Sequence, residues 1–287
     1  MAEPPELLIV GHVVQDLLPG GGWQLGGAVS YGSLLGRNLG LRTAVLTACD
    51  PELPLDDLLP GVEVRRVDSA ATTQMRNVYP DGGQRQQWAP QRATPLSAVH
   101  LPDEWRAARI VLLGPVAGEV DASLASAFSA GTLIGLGAQG CLREVGPDQR
   151  VRPVPPHDWD AATMLRAVDA LFLSDEDLPL DEAPLALAEW AALVEILAFT
   201  RGYGGADVWA GGEWRRVDAF AAEPVELTGA GDTFATGFLV RYAETGDPWE
   251  AARFGSAAAS LVIEGVGVEG VPTPAAIEGR LEAKTGD

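Results

Sequence analysis

The sequence predicts an α/β fold: a mostly parallel sheet covered by helices on both faces, with a small β lid. Three observations carry this. Strand-like and helix-like segments alternate along the 287 residues. The strand-like segments, such as Leu7-Leu8-Ile9-Val10 and Ile110-Val111-Leu112-Leu113, are continuous apolar runs. Strands buried on both faces read that way, whereas half-exposed strands alternate. Finally, the rhythm breaks once, between Thr72 and Ala89, in a polar hairpin pattern. No linker, repeat or low-complexity tract divides the chain. One domain spanning 1–287, with a β insertion at about 70–92, is expected.

The formal net charge of −20 disfavours nucleic-acid binding, because phosphate backbones demand Lys and Arg. The only lysine is Lys284, which excludes a P-loop and argues against Schiff-base chemistry. Cys49 and Cys141 have neither disulfide-framework nor metal-type spacing, and they fit a reducing compartment. There is no apolar run of membrane length and no signal-peptide pattern. A cytoplasmic protein without membrane or nucleic-acid partners, monomeric or homodimeric, is expected. On such an acidic chain an anionic ligand needs a local positive field, from a helix N-terminus or a bound cation.

In chain order, the first strand ends at Gly11, and Asp16 follows five residues later. Pro19-Gly20-Gly21-Gly22 marks a loop. Gly26-Gly27 opens a helix from Ala28 to Leu39 that Gly40 closes. The paired glycine reads either as a turn or as backbone that lets a small polar ligand approach, with Asp16 on its hydroxyls. Thr43–Thr47 and Val62–Val67 are strands. The hairpin signal is Pro80-Asp81-Gly82-Gly83. Ile110–Leu113 and Thr132–Leu136 are strands, and the second runs into Gly135-Leu136-Gly137-Ala138-Gln139-Gly140. That string satisfies G-x-G-x-x-G. The dinucleotide fingerprint, however, needs a helix opening at the third glycine. Gly146, Pro147, Pro153, Pro155 and Pro156 forbid a long one, so an NAD-dependent oxidoreductase ranks third among the readings.

Ala161–Val168 reads as a helix and Ala170–Leu173 as a strand, followed by Ser174-Asp175-Glu176-Asp177. Such carboxylates hold Mg²⁺ through waters, or cap a helix N-terminus. Leu185–Leu193 is helical and Val194–Phe199 a strand. A glycine-rich turn, Thr200 to Gly205, leads into a hairpin around Gly211-Gly212. Trp249–Glu264 is an Ala-rich helix and Pro272–Leu281 a closing one.

The most informative stretch is Pro224 to Phe238, PVELTGAGDTFATGF. Gly229 and Gly231 flank Ala230, so the backbone can turn tightly and bring its N–H groups close to a ligand. A helix starting there aims unsatisfied N–H groups and its positive dipole end at one spot, an anion site. Asp232 stands in the first turn, where it can take a proton from a hydroxyl beside a bound phosphate. The dipole is expected to keep Asp232 ionised and a weak base.

Thr228-Gly229-Ala230-Gly231-Asp232-Thr233-Phe234, with Gly237 one turn on, resembles the signature of the ribokinase family, the phosphofructokinase-B-type sugar and nucleoside kinases. The resemblance implies an ATP- and Mg²⁺-dependent kinase that phosphorylates a hydroxyl of a sugar, cyclitol or nucleoside. Asp232 would be the base, Gly229, Ala230 and Gly231 the anion hole, and Thr228 a nucleotide contact. Asp16, Gly26 and Gly27 match the substrate side, and the hairpin matches the family's lid. Gln139 and Arg143 match a motif after the Thr132 strand, with Gly137 in place of its Asp. Arg143 then either neutralises the transferring phosphoryl group or is a surface arginine. Thr200, Gly202 and Gly205 match the nucleotide turn, and Ser256 and Ala259 the helix beside the adenine. Asp175 falls on the Asn of an Asn-x-x-Glu metal motif whose Glu position is Leu178, leaving Glu176 or Asp177 to substitute.

Other departures are Tyr31 for a substrate-contacting Asn, and Glu226-Leu227 where Asp and Thr are common. The latter leaves the need for a monovalent cation open. Tyr31, Gly137 and Leu178 together resemble a divergent, inositol-kinase-like branch. Asp16, Asp175, Gly202 and Asp232 are all expected to follow strands and converge on one sheet edge. The alternative reading is a kinase-like sensor that binds nucleotide or sugar without turnover.

Overall fold

The computed structural model describes residues 3–78 and 86–283; the expected hairpin tip at Pro80–Gly83 lies outside them. The chain begins with β1 (Leu7–Val10), β2 (Val14–Leu17), β3 (Trp23–Gly26) and α1 (Ala28–Asn38). There follow β4 (Thr43–Cys49), α2 (Leu55–Leu58), β5 (Glu63–Asp68), β6 (Thr73–Val78) and β7 (Gln86–Gln91). The middle holds β8 (Ile110–Leu113), α3 (Ala122–Ala125), β9 (Leu133–Gly137), β10 (Arg143–Val145) and β11 (Val151–Pro153). Next come α4 (Ala161–Leu165), β12 (Ala170–Ser174), α5 (Ala183–Ala191), β13 (Ile196–Thr200), β14 (Ala206–Ala210) and β15 (Glu213–Val217). The last helices are α6 (Ala230–Thr245), α7 (Pro248–Val262) and α8 (Pro274–Ala283).

Nine strands form one sheet in the order β15-β14-β13-β12-β9-β8-β1-β4-β5. Its pairs are parallel except at β13-β14 and β14-β15. Successive side chains face opposite ways along a strand, so each apolar run feeds two cores. Leu7 and Ile9 pack with α1, α6 and α7 on one face, while Leu8 and Val10 pack with α4 and α5 on the other. The expected α/β architecture is the one observed.

α6 is buried from Thr233 to Val240. Phe234 and Phe238 make edge-on contacts with Phe172 of β12, at centroid distances of 6.3 and 5.3 Å. A side chain at Gly255 of α7 would meet the Phe234 carbonyl at 2.7 Å, so that glycine lets α7 approach α6 closely. Burying each Phe contributes roughly 1.5–3 kcal/mol, which anchors the helix whose first turn carries Asp232.

A second sheet of four strands, β3-β2-β6-β7, stands apart from the first. It is larger than the β insertion expected at 70–92, because β2 and β3, residues 14–26, pair into it. These four-residue strands carry Gln15, Asp16 and Gln24, and their mixed polarity hides the strand pattern. β10 and β11 form a separate hairpin, in the segment whose prolines and glycine forbid a long helix. β9 passes into it through a 3-10 turn, Ala138–Leu142, so the G-x-G-x-x-G string lacks the helix a dinucleotide site requires.

Candidate active site

Gly229 caps α6 with φ +83, in the left-handed region, and its Cα rests on the ring of Tyr31. An added Cβ there would lie 2.4 Å from the ring carbons. The backbone must turn left-handed at that point, and Tyr31 forms its floor. In the first turn of α6 the Ala230 N–H donates to the Leu227 carbonyl at 3.4 Å, and the N–H groups of Gly231 and Asp232 precede the helix ladder. Thr233 N–H is the first to return, donating to the Gly229 carbonyl at 2.9 Å.

Asp232 keeps some solvent contact, yet protein atoms crowd its carboxyl. This desolvation, reinforced by Asp16 and Asp177 and opposed by Arg143, pushes its pKa up to about 7. The expectation of a weak, fully ionised base is therefore corrected: burial and like charge outweigh the helix dipole. The charges that act on Asp232 come from three places in the chain: Asp16 on β2, Arg143 at the start of β10 and Asp177 after β12.

Asp16 lies within β2, opposite Gln24 of β3, rather than in a loop after a strand. Its carboxylate sits against Gly26, where a Cβ would fall 2.0 Å from Oδ2. Gly27 has φ +83, and a Cβ there would meet the His12 carbonyl at 2.9 Å. The two glycines thus serve different ends: Gly26 makes room for Asp16, and Gly27 turns the chain into α1.

Tyr31 is fully buried, and its hydroxyl has no hydrogen-bond partner among the described residues. Burial, with the charges of Glu226, Asp16 and Asp232, holds the phenol protonated well above its usual range. The structure places Tyr31 beneath the anion loop, with its ring as support.

Glu226 accepts from Gln24 Nε2 and from the Gly267 N–H, the latter at 2.9 Å. It joins the small sheet to the turn after α7, a tie that the sequence did not signal.

Gln139 Nε2 donates to Asp177 Oδ1 at 3.2 Å, and Asp177 Oδ2 accepts from Ser174 N and Oγ at 2.8 Å each. Asp177 is thus the brace of the turn after β12. Asp175 and Glu176 follow on that turn, and no group of three or more metal-ligating side chains gathers among the described residues. Mg²⁺ keeps most of its waters and takes one or two carboxylates beside phosphate oxygens. Asp175 and Glu176 fit that donor set.

Thr200 ends β13, where Gly202 opens a 3-10 turn and Gly205 takes φ +81 against the Val217 carbonyl. Ser256 and Ala259 lie on α7, the first buried and the second half-buried. Asp175 and Gly202 follow strands as expected. Asp232 instead follows an irregular stretch, 218–229, and Asp16 belongs to the small sheet. The site therefore spans two sheets, not one edge.

A parallel sheet with a buried helix that starts at a glycine anion loop, faced by a carboxylate from a small β sheet, defines a ribokinase-like scaffold. Residues 138–275 match the profile of the pfkB family carbohydrate kinases. Ribokinase of Bacillus subtilis (strain 168) is 40% identical over 96 residues, a match that spans 33% of this chain and 33% of that protein. A pyrophosphate-dependent kinase of the ribokinase family, complexed with a pyrophosphate analog and myo-inositol, superposes with a TM-score of 0.78 at 23% identity. It covers 96% of this chain and 99% of its own. Arabidopsis thaliana ribokinase, complexed with ribose and ATP, gives 0.73 at 22% identity over 97% of this chain and 99% of its own. The fold is therefore ribokinase-like, and the pfkB-family resemblance in sequence is confined to a little under half of the chain, 138–275.

Proposed function

We propose that the chain transfers a phosphoryl group to a hydroxyl of a sugar or cyclitol, with a nucleoside as the next acceptor class. The observation that carries this is the start of α6 at the left-handed Gly229, which sets Asp232 in its first turn, within the field of Asp16 and Arg143. The acceptor lies between the two carboxylates, with Asp16 binding its hydroxyls. Asp232, near half-ionised at neutral pH, takes the proton of the attacking hydroxyl. The acceptor O–P bond forms as the donor P–O bond breaks, and the first-turn N–H groups of α6 stabilise the phosphoryl oxygens. Arg143 neutralises the charge that spreads over them in a loose transition state. Asp175 and Glu176 would hold Mg²⁺ through water, and the ion would supply further neutralisation of the donor phosphates.

ATP is the first donor reading, by analogy with the Arabidopsis ribokinase. A specific observation favours pyrophosphate as the second. Arg280 of α8 donates to the Ala221 carbonyl and Ser260 Oγ at 2.9 Å each, and to Glu264 at 2.7 Å. It ties Ala221, in stretch 218–229, to Ser260 and Glu264 at the end of α7, one turn from Ser256. By resemblance, an adenine would lie along the face of α7 that carries Ser256. A donor without a base would not need it.

The test is phosphorus NMR with Mg²⁺ and either ATP or pyrophosphate, across sugars, cyclitols and nucleosides. A phosphorylated acceptor names both substrates. If either donor binds but no acceptor is phosphorylated, a binding protein replaces the kinase reading.

A further inference from the structure

Arg143 opens a hairpin that belongs, by its packing, to the small sheet. β10 and β11 pair with Arg143 opposite Pro153 and Val145 opposite Val151. Val145 and Val151 rest on a cluster of Val14, Met75, Ala89 and Val116, the first three drawn from β2, β6 and β7. The hairpin turn also bonds to the edge of that sheet. Ala89 N–H donates to the Gln149 carbonyl at 2.8 Å, and Trp88 bridges to Arg150. The Arg150 guanidinium lies over the Trp88 ring, 5.9 Å from its centroid. Gln149 has φ 64, the only non-glycine residue in the left-handed region among the described residues. Such a conformation persists where its surroundings over-determine it, and the bond to β7 is one such determinant.

We propose that the β10–β11 hairpin is a positioning element for Arg143. Its contacts with Trp88 and Ala89 make the small sheet carry both Asp16 and the charge-neutralising arginine as one body against Asp232. This rests on the phosphoryl-transfer reading. In this proposal Trp88 and Arg150 act through Arg143. The contribution of Arg143 grows in the transition state, so its misplacement lowers kcat more than it raises the acceptor KM.

The test compares Trp88→Ala, Arg150→Ala and Arg143→Ala with the double variants Trp88→Ala/Arg143→Ala and Arg150→Ala/Arg143→Ala. Arg150 is exposed, so its truncation leaves the small core intact even if Trp88→Ala disturbs it. We expect each positioning variant to lower kcat by about 10–100-fold, the scale of an ångström-level misplacement, with acceptor KM nearly unchanged. In the Arg143→Ala background the same changes should cost less than about twofold, because coupled residues are not additive. Calorimetric titration with sulfate gives a second readout that needs no acceptor. Sulfate affinity should fall in Arg143→Ala and in both positioning variants, with no further loss in the doubles. A chain that fails as a kinase can still pass this arm, which separates the two readings. Additive losses, unchanged kcat and sulfate affinity in the single variants, or a wild type that shows neither turnover nor Arg143-dependent sulfate binding would each overturn the proposal.

Discussion

The two sheets contribute to the site in opposite ways. The inner strands of the nine-stranded sheet are apolar on both faces, and α6 is buried on nearly every side from Thr233 to Val240. Its loop, Gly229 to Asp232, is fixed from below by Tyr31. The four-stranded sheet has short, mixed-polarity strands over a buried cluster of four residues, Val14, Met75, Ala89 and Val116. Anion stabilisation tolerates little slack, and it sits on the deep core. Asp16, the proposed acceptor ligand, sits on the thin layer, where few apolar contacts make local opening cheap. The anion loop and Asp232 thus depend on the large sheet, and Asp16, with the hairpin that carries Arg143, on the small one.

The largest effect should come from the large sheet. Asp232→Asn is expected to lower kcat by roughly 10²–10⁴-fold while donor binding persists. The wild-type rate should fall as pH drops through about 7, since only the ionised carboxylate accepts a proton. A flat profile between pH 6 and 8, measured on kcat/KM, would assign the proton to another group.

The loop glycines separate architecture from chemistry. Gly229→Ala meets both a positive φ and the Tyr31 ring, and should cost about 2–5 kcal/mol from strain and overpacking together. At Gly231 an added Cβ finds nothing within 4 Å. Gly231→Ala should leave stability within about 1 kcal/mol, by helix propensity, and weaken donor use alone. Denaturant melts beside donor KM values distinguish the two; equal destabilisation would refute the account of Tyr31 as floor.

The same division explains what the sequence revealed. The large sheet was legible because a strand buried on both faces must be an apolar run, and Leu7–Val10 or Ile110–Leu113 admit few other readings. The loop was legible because Gly229 and Gly231 have local reasons to be glycine. β2 and β3 were hidden because a polar, four-residue strand such as Val14-Gln15-Asp16-Leu17 carries no periodicity worth reading. The raised pKa of Asp232 was hidden too. It comes first from burial, and then from Asp16 and Asp177, which the fold brings from far along the chain. The bond between Glu226 and Gln24 is likewise long-range and leaves no mark in either segment.

On the small sheet, Asp16→Asn should raise acceptor KM by about 10–100-fold, the value of a hydrogen bond to a charged group. It should also lower the pKa of Asp232, because Asp16 is a like charge that raises it. The acidic limb of the pH profile then moves to lower pH. An unmoved limb with raised KM would separate acceptor binding from proton uptake, and so sharpen the division between the sheets.

The smallest effect is expected where the two regions meet. Tyr31→Phe keeps the ring under Gly229 and removes a buried hydroxyl that has no partner among the described residues. A buried polar group without a partner is a cost to the fold, so its loss should leave stability unchanged or raise it by about 1 kcal/mol. If the ring alone matters, kcat and acceptor KM should stay within about threefold of wild type. The phenol is, however, close enough to Asp16 and Asp232 to feel both charges. An acceptor KM raised tenfold or more, with thermal stability intact, would mean that the hydroxyl finds its partner on the bound acceptor. Tyr31 would then belong to the acceptor-binding half of the site as well as to the floor of the anion loop.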